Sequence, residues 1–573
     1  MKTNLKKYML ALALSPMLLS SCGDDFLEEI NPNQQTPATF WINEENCMKG
    51  LSAVYNPLRR MTWGYYGGHH SILHFQMRAD DLYPTRGEEA PIWEALSFTN
   101  TSNTGNDMWA HIYRGIQLAN EFIYNAPNVP MDKTKLDQMI GEAHFMRGFW
   151  YFRLQCDYGM GPIRTLPQAQ DTEAKPCSSK EDILEQCVAD FTEAKKRLPK
   201  TRPGDENGRV TQGAAIAMLG KTLVWQKKFA EAKQEFESIM TGYNYDLMAD
   251  YSHNFRDDHE FNEESLFEIN YDKFGNTGDN WGSSQGNNAG MIENYTHFFG
   301  PAVPGKKGGW YKMQPSPYLV KQFIAEERPA GSDTKYDKRL YTTCFFKHSD
   351  YEDKEDELYF GDVPFDKIFV QTALPGHDNK WRIGNGGAGP AYPEINGKPG
   401  RFLMKKMTTW WSTTGCGMYG NPDARVNNFR IMRFAEVLFL HAEAALETGD
   451  NASAMRDINR IRVRAGLAEK HLSGKAAIME ELRNQKLLEF AAENVRWDDL
   501  VRWYSYDQLK TILLQRKVDS KEYKKVSDDL WVPVGDYKDT QNYAGFQKKH
   551  MYFPIPQSEV DANEALEQNP EWN

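Results

Sequence analysis

The chain has 573 residues, 40% of them apolar and 25% charged, which is ordinary globular usage and excludes a disordered or fibrous chain. Its formal charge of −12 excludes nucleic acid as a natural partner, because a phosphate backbone calls for a basic surface. Aromatic residues reach 13%, with 15 Trp, 28 Tyr and 30 Phe, and such rings serve sugar- or peptide-binding surfaces as well as large cores.

The first segment reads as an export signal. Lys2, Lys6 and Lys7 precede an apolar run from Tyr8 to Leu19, too short to span a bilayer, and Leu19-Ser20-Ser21-Cys22 closes it with small residues and a cysteine. That is the form of a bacterial lipoprotein signal over residues 1–21, with the mature chain starting at an acylated Cys22 and held on a membrane by its lipid. Loss of the three lysines takes the formal charge to −15. Asp24, Asp25, Glu28 and Glu29 follow at once, an acidic patch similar to the surface-export signal of some Gram-negative lipoproteins. A solvated tether is the plainer reading of the same charges.

Residues 22–573 read as one large body, since no linker long enough to separate two domains appears. Apolar residues at three- and four-residue steps predict helices over about Glu45–Arg60, Asp107–Ala126, Thr134–Tyr158, Lys180–Leu198, Thr211–Met240, Phe434–Ala465 and Ala476–Tyr504. Ser179 with Asp182 has capping-box spacing, and Thr211 can cap the next helix. Leu219, Gly220, Leu223, Phe229, Ala232, Phe236 and Ile239 fall at tetratricopeptide offsets, and Ala442, Ala445, Ala454, Ile458 and Ile461 repeat them around Gly449-Asp450-Asn451. Such units expose binding faces.

From about Asn244 to Asn428 helix periodicity disappears in favour of Gly, Pro, Asn and aromatics, with brief strands at Ser265–Ile269 and Ile368–Val370. A long segment of this kind inside a compact body is usually functional, so residues 244–428 read as the ligand-facing half. The fold class is mostly α: a helical scaffold at about 45–243 and 429–515, a loop-rich insertion between, and a terminal segment 516–573.

Several catalytic patterns fail on context. Gly282-Ser283-Ser284-Gln285-Gly286 lacks the strand and helix of a nucleophile elbow, and Pro390 and Pro393 forbid the helix that Gly384 to Gly389 would need to hold a pyrophosphate. His69, His70 and His74 have no zincin glutamate, and Asp350 to Glu357 lacks EF-hand order. No catalytic residue, metal site or cofactor is expected. Apart from Cys22, six cysteines remain without C-x-x-C spacing, and only Cys177 and Cys187 lie close in sequence.

Specific text comes late in the chain. Asn428-Phe429-Arg430-Ile431-Met432-Arg433-Phe434-Ala435-Glu436-Val437 opens a helix running to Ala444, followed by Asn459-Arg460-Ile461-Arg462, Leu487-Leu488-Glu489-Phe490-Ala491-Ala492-Glu493, Arg496-Trp497-Asp498-Asp499-Leu500 and Tyr552-Phe553-Pro554-Ile555-Pro556. With Tyr113-Arg114-Gly115-Ile116 and Gly141-Glu142-Ala143 in the first half, this ordered set resembles the SusD/RagB family of nutrient-binding outer-membrane lipoproteins. The resemblance implies a tetratricopeptide scaffold, no catalysis, and a lid on a SusC-like TonB-dependent transporter that captures oligosaccharides, or peptides in some branches, before import. By analogy with the family's aromatic platform, Trp63, Trp281 and Trp310 are the expected glycan contacts, with Tyr66, Arg78, Asp279, Asn280 and Tyr311 beside them. Trp381, Trp410 and Trp411 are runners-up. A surface glycoside hydrolase is the alternative from another class, and it would need a facing pair of carboxylates that no motif selects.

Overall fold

The computed structural model describes residues 36–62, 78–84, 98–101, 103–271, 299, 313–352, 354–355, 358–359, 363–364, 391–395, 398–399, 402–413, 427–516, 520–527, 530–536 and 543–572. Its main helices are α1 (Glu44–Tyr55), α2 (Asn103–Asn125), α3 (Lys133–Asp157), α4 (Lys180–Arg197), α5 (Gln212–Trp225), α6 (Phe229–Gly242), α7 (Pro317–Ala325), α8 (Phe434–Glu447), α9 (Asn451–Arg464), α10 (Lys475–Phe490), α11 (Arg496–Trp503) and α12 (Tyr506–Gln515). Each helix from α2 to α6 packs on the next, and α6 then packs on α8, which carries α9 and α10. The stack therefore resumes after nearly two hundred residues as though they had been spliced into it.

Local chemistry sets the boundaries. Ser179 and Asp182 form the reciprocal capping box of α4, and the Thr211 hydroxyl accepts from the Ala214 amide at the start of α5. The two runs read as tetratricopeptide units, Thr211–Met240 and Phe434–Ala465, are each a helical hairpin, with Gly449 at the turn of the second. Both breaks use the same geometry: the Lys228 amide donates to the Leu223 carbonyl at 2.9 Å, and the Asp450 amide to the Ala445 carbonyl at 2.7 Å. The residue in the left-handed region is Gly449 in one turn, at φ +87°, and Lys227 in the other, at φ +59°. Small residues set the helix spacing. A Cβ on Gly220 would lie 2.6 Å from the Phe236 ring, and one on Gly115 would lie 2.2 Å from Nε1 of the Trp150 indole.

Buried polar pairs lock the layers in register. Arg147 on α3 forks onto Asp190 of α4, with Nε and Nη2 at 3.0 and 2.7 Å, while its Nη1 donates to Asn120 of α2 at 2.9 Å. Lys221 of α5 pairs with Glu436 of α8 at 2.9 Å across the splice.

The inserted segment is pinned where it leaves and returns. Ser265–Ile269 pairs antiparallel with Phe429–Arg433, and the Phe434 amide donates to the Glu264 carbonyl at 2.8 Å. Around that ladder lies a dry cluster of charge. Arg433, 1% exposed, reaches Glu493 through Nε at 2.7 Å and meets Glu264 and Glu489 through Nη1. Arg464 also binds Glu264 and Glu489, and Arg339 joins Asp337 to Glu489. Lys406 binds Glu493 at 2.6 Å and donates to the Glu489 carbonyl at 3.0 Å. Burial alone would raise Glu489, yet the charges of Arg464, Arg433 and Arg339 hold it well below the usual carboxylate range. Lys406 is pushed down to about 8 by burial, against the pull of Glu493.

In secondary structure, the described residues add two features that the sequence reading lacked. Helix is present inside 244–428: α7 has Ser316 as its N-cap and Pro317 at its first position, and Lys338–Thr343 is a second short helix. Both are too short for periodicity to register. They build a separate small core in which Leu319, Val320, Phe323 and Leu340 meet Leu487 and Leu488 of α10. The terminal segment adds a hairpin, Ser520–Ser527 with Leu530–Asp536, that pairs with Ala391–Ile395 of the insertion. The expected strand Ile368–Val370 lies outside the described residues. Cys47, Cys156, Cys177, Cys187 and Cys344 are free thiols, so Cys177 and Cys187 are not joined.

Arg78 is overturned as an open ligand contact. It is 2% exposed, stacks 4.5 Å from both the Trp497 and Phe553 rings, and donates to the His550 carbonyl at 2.8 Å. A guanidinium flanked by the protein's own rings is a packing group. Burial pushes it down to about 9. Its neighbour His550 accepts the Gln547 amide at Nδ1, 3.0 Å, which requires an unprotonated nitrogen there.

Two outcomes follow from these contacts. Lys227→Gly removes a left-handed lysine from a turn whose counterpart already uses glycine, and should raise unfolding free energy by about 1 kcal/mol in urea titration, whereas Gly449→Lys should lower it by a similar amount. His550 is pushed down from 6.5 to about 4 by burial and by the charges of Lys549 and Arg78. Protonation thus favours the unfolded chain: the contribution is complete above pH 6.5 and is lost as pH falls toward 4. Urea midpoints measured across that window should drop for the native protein and less steeply for His550→Gln.

Candidate aromatic ligand surface

Of the residues expected to touch ligand, Trp63, Tyr66, Asp279, Asn280, Trp281, Trp310 and Tyr311 lie outside the described residues, as do Trp381, His69, His70, His74 and the glycine-rich stretches at 282–286 and 384–389. Aromatics on the helices belong to the core: Trp109 is 2% exposed and Trp225 7%. Trp410 and Trp411 are different, both half-buried on a 3-10 turn of the insertion, Thr409–Trp411.

That turn is built from the strand before it. Phe402–Met404 pairs antiparallel with Cys344–Phe346, and the Lys405 and Lys406 amides continue the ladder onto the Thr343 carbonyl at 2.8 and 3.2 Å. Lys405 and Lys406 then point into different surroundings. The Lys406 ammonium runs inward to Glu493, over the rings of Phe255 at 4.7 Å and Tyr251 at 5.2 Å. The Lys405 ammonium lies 5.1 Å from the Trp410 ring centre, 5.5 Å from Trp411 and 5.4 Å from Phe345, a three-sided cation–π arrangement.

Polar bonds fix both ends of the turn. The Trp411 indole Nε1 donates to the Lys405 carbonyl at 3.0 Å, and Trp410 meets Phe345 edge-on at 5.4 Å. Beyond the turn, the Thr413 amide and hydroxyl donate to Asp257 at 2.8 and 2.7 Å, and the Ser412 hydroxyl at 3.0 Å. The paired indoles are thereby held by the ladder on one side and by a carboxylate on the other. Sequence reasoning placed these two tryptophans behind others because nothing in the text reveals that Lys405 folds back beneath them.

Next to this turn, Asn254, Phe255, Met407, Thr408, Asn427 and Phe429 are among the residues lining a cavity of about 40 Å³. Pockets that enclose small molecules run to roughly 300–1,000 Å³, so this one takes no sugar ring. Among the described residues no group of three or more His, Cys, Asp or Glu side chains is arranged to hold a metal ion. No described helix is long and apolar enough to cross a membrane.

Comparison with known proteins places this architecture. Residues 263–572 match the model of the SusD family, and residues 25–223 match a model described as starch-binding associating with outer membrane. A SusD-like protein of Bacteroides ovatus is 22% identical, covering 100% of this chain and 99% of its own length. Among solved structures, a SusD superfamily protein from Bacteroides vulgatus superimposes with a TM-score of 0.70 at 25% identity, covering 93% of this chain and 100% of its own. A laminarin-binding SusD-like protein gives 0.67 at 21% identity, covering 92% of this chain and 99% of its own. The matched segments cover both the helical scaffold and the insertion, and the chain belongs to the SusD family.

Proposed function

We propose that this protein is a non-enzymatic glycan-binding lipoprotein displayed on the surface of a Gram-negative cell, where it captures oligosaccharide and passes it to a SusC-like TonB-dependent transporter. The observation that carries the reading is family membership joined to an aromatic-rich insertion fastened to a rigid helical stack. A relative of similar length and fold whose name describes laminarin binding supports a carbohydrate as the ligand class. Acyl chains on Cys22 hold the body at the membrane, and binding without chemistry raises the local concentration of substrate at the transporter mouth. Trp63, Trp281 and Trp310, with Tyr66, Asp279, Asn280 and Tyr311, supply ring faces and polar edges to the glycan.

Lipid-free protein lacking residues 1–22, run in affinity gels against plant, host and microbial polysaccharides, should be retarded by at least one of them. Full-length protein should partition with outer membranes and be shaved by external protease, and Cys22→Ala should move it to the soluble fraction. Failure of every polysaccharide, together with retardation by oligopeptide competitors, would make it a peptide receptor.

A further inference from the structure

We infer that the junction between the returning strand and Phe255 is a buried hydration site, in which about three ordered waters join Arg430, Glu268, Asn427 and Asn428. The site does not depend on which ligand the protein captures.

Burial and hydrogen bonding carry the inference. Arg430 and Asn427 are each 9% exposed, Asn428 6% and Glu268 3%. All four side chains are already tied to backbone at one end. Arg430 Nη2 donates to the His259 carbonyl at 3.0 Å, and Asn427 Nδ2 to the Phe255 carbonyl at 3.3 Å. Asn428 Oδ1 accepts the Tyr271 amide at 2.9 Å, and Glu268 Oε1 the Phe261 amide at 2.7 Å. These bonds decide which atoms are left over. Arg430 Nε and Asn428 Nδ2 are buried donors, Asn427 Oδ1 and Glu268 Oε2 are buried acceptors, and among the described residues none of the four has a protein partner. Buried polar atoms in that position are met by ordered water.

The arrangement suits water in particular. Arg430 and Glu268 are directly opposed in the ladder between Phe429–Arg433 and Ser265–Ile269, so their side chains rise from one face. A water that accepts from Arg430 Nε and donates to Glu268 Oε2 completes this pair. Asn427, Asn428 and Arg430 also line the cavity of about 40 Å³, where a second water can accept from Asn428 Nδ2 and donate to Asn427 Oδ1. A buried water needs roughly 10–15 Å³ of such volume, which sets the number at about three. Two donors face two acceptors, and one positive charge faces one negative, so the occupant is neutral and plays both hydrogen-bonding roles. Lys406 and Glu493 bound the same cavity but bind each other at 2.6 Å, and hydration stops where the dry cluster begins. The root of the insertion is thereby held by direct ion pairs on one side and by solvent on the other.

A crystal structure of the lipid-free protein, grown with bromide in place of chloride, tests this directly. Density for water is expected about 2.7–3.2 Å from Arg430 Nε, Asn428 Nδ2 and Asn427 Oδ1, with no anomalous signal at the bromine edge. A cavity without density overturns the inference, and so does a peak with bromine signal, which would make this an anion site. In solution, oxygen-17 relaxation dispersion of water counts long-lived internal waters free of any lattice. Asn427→Leu, checked for an unchanged thermal transition, should lower that count relative to the native protein; an unchanged count overturns the site.

Discussion

A dry cluster of charge around Arg433 is the constraint on which the molecule depends. Four cations, Lys406, Arg339, Arg433 and Arg464, meet four carboxylates, Glu264, Asp337, Glu489 and Glu493, in a region from which water is excluded. Burying ions is costly and is offset only when every partner is in place. The cluster therefore behaves as a unit. Its members come from different parts of the chain: Glu264, Asp337, Arg339 and Lys406 from the insertion, Arg433 from the returning strand, Arg464 and Glu489 from α9 and α10, and Glu493 from the turn after α10. Satisfying one group fixes the placement of the next. A segment of nearly two hundred residues is thus held against the helical stack by electrostatic complementarity as much as by apolar packing.

Such an arrangement lets one part of the chain vary while another stays fixed. The helices from α1 to α6 and from α8 to α10 meet through small residues and internal ion pairs that leave little tolerance. The insertion has its own small core on α10 and a few short strands, and its sequence is otherwise rich in aromatics, glycine and proline. Binding surfaces carried on loops over a rigid scaffold are a recurring solution, because the loops can change chemistry without unfolding the body. The pair Lys405 and Lys406 shows the two roles side by side. One ammonium closes the buried cluster and the other sits beneath the half-buried indoles.

The family resemblance was legible because its residues are framework. Arg433, Glu436, Glu489, Glu493, Arg496, Asp498 and Asp499 are all buried, and each pairs with a named ion: Glu436 with Lys221, Arg496 with Asp80, Asp498 with Arg153, Asp499 with Lys486. Long amphipathic helices were legible too, since their period repeats over many turns. The breaks at Lys227 and Gly449 were half-visible: glycine marks its turn, while a left-handed lysine carries no signal. α7 and the terminal hairpin escaped notice because nine residues and a partner over a hundred positions away leave no periodic trace. Arg78 misled because it was placed beside Trp63 by analogy with the family's aromatic platform, and only the fold reveals Trp497 and Phe553 on its faces.

Native-state hydrogen exchange on Arg433→Met, beside the unaltered protein, tests the cluster's role most directly. Removing one partner of a buried network costs about 3–5 kcal/mol, and what matters is where that loss appears. If Arg433 fastens the insertion, protection should fall together at Ser265–Ile269, Lys338–Thr343, Phe402–Met404 and the end of α10, while α3 and α4 keep theirs. Loss spread evenly over every helix, or confined to Phe429–Arg433, would show that the cluster does not join the two halves.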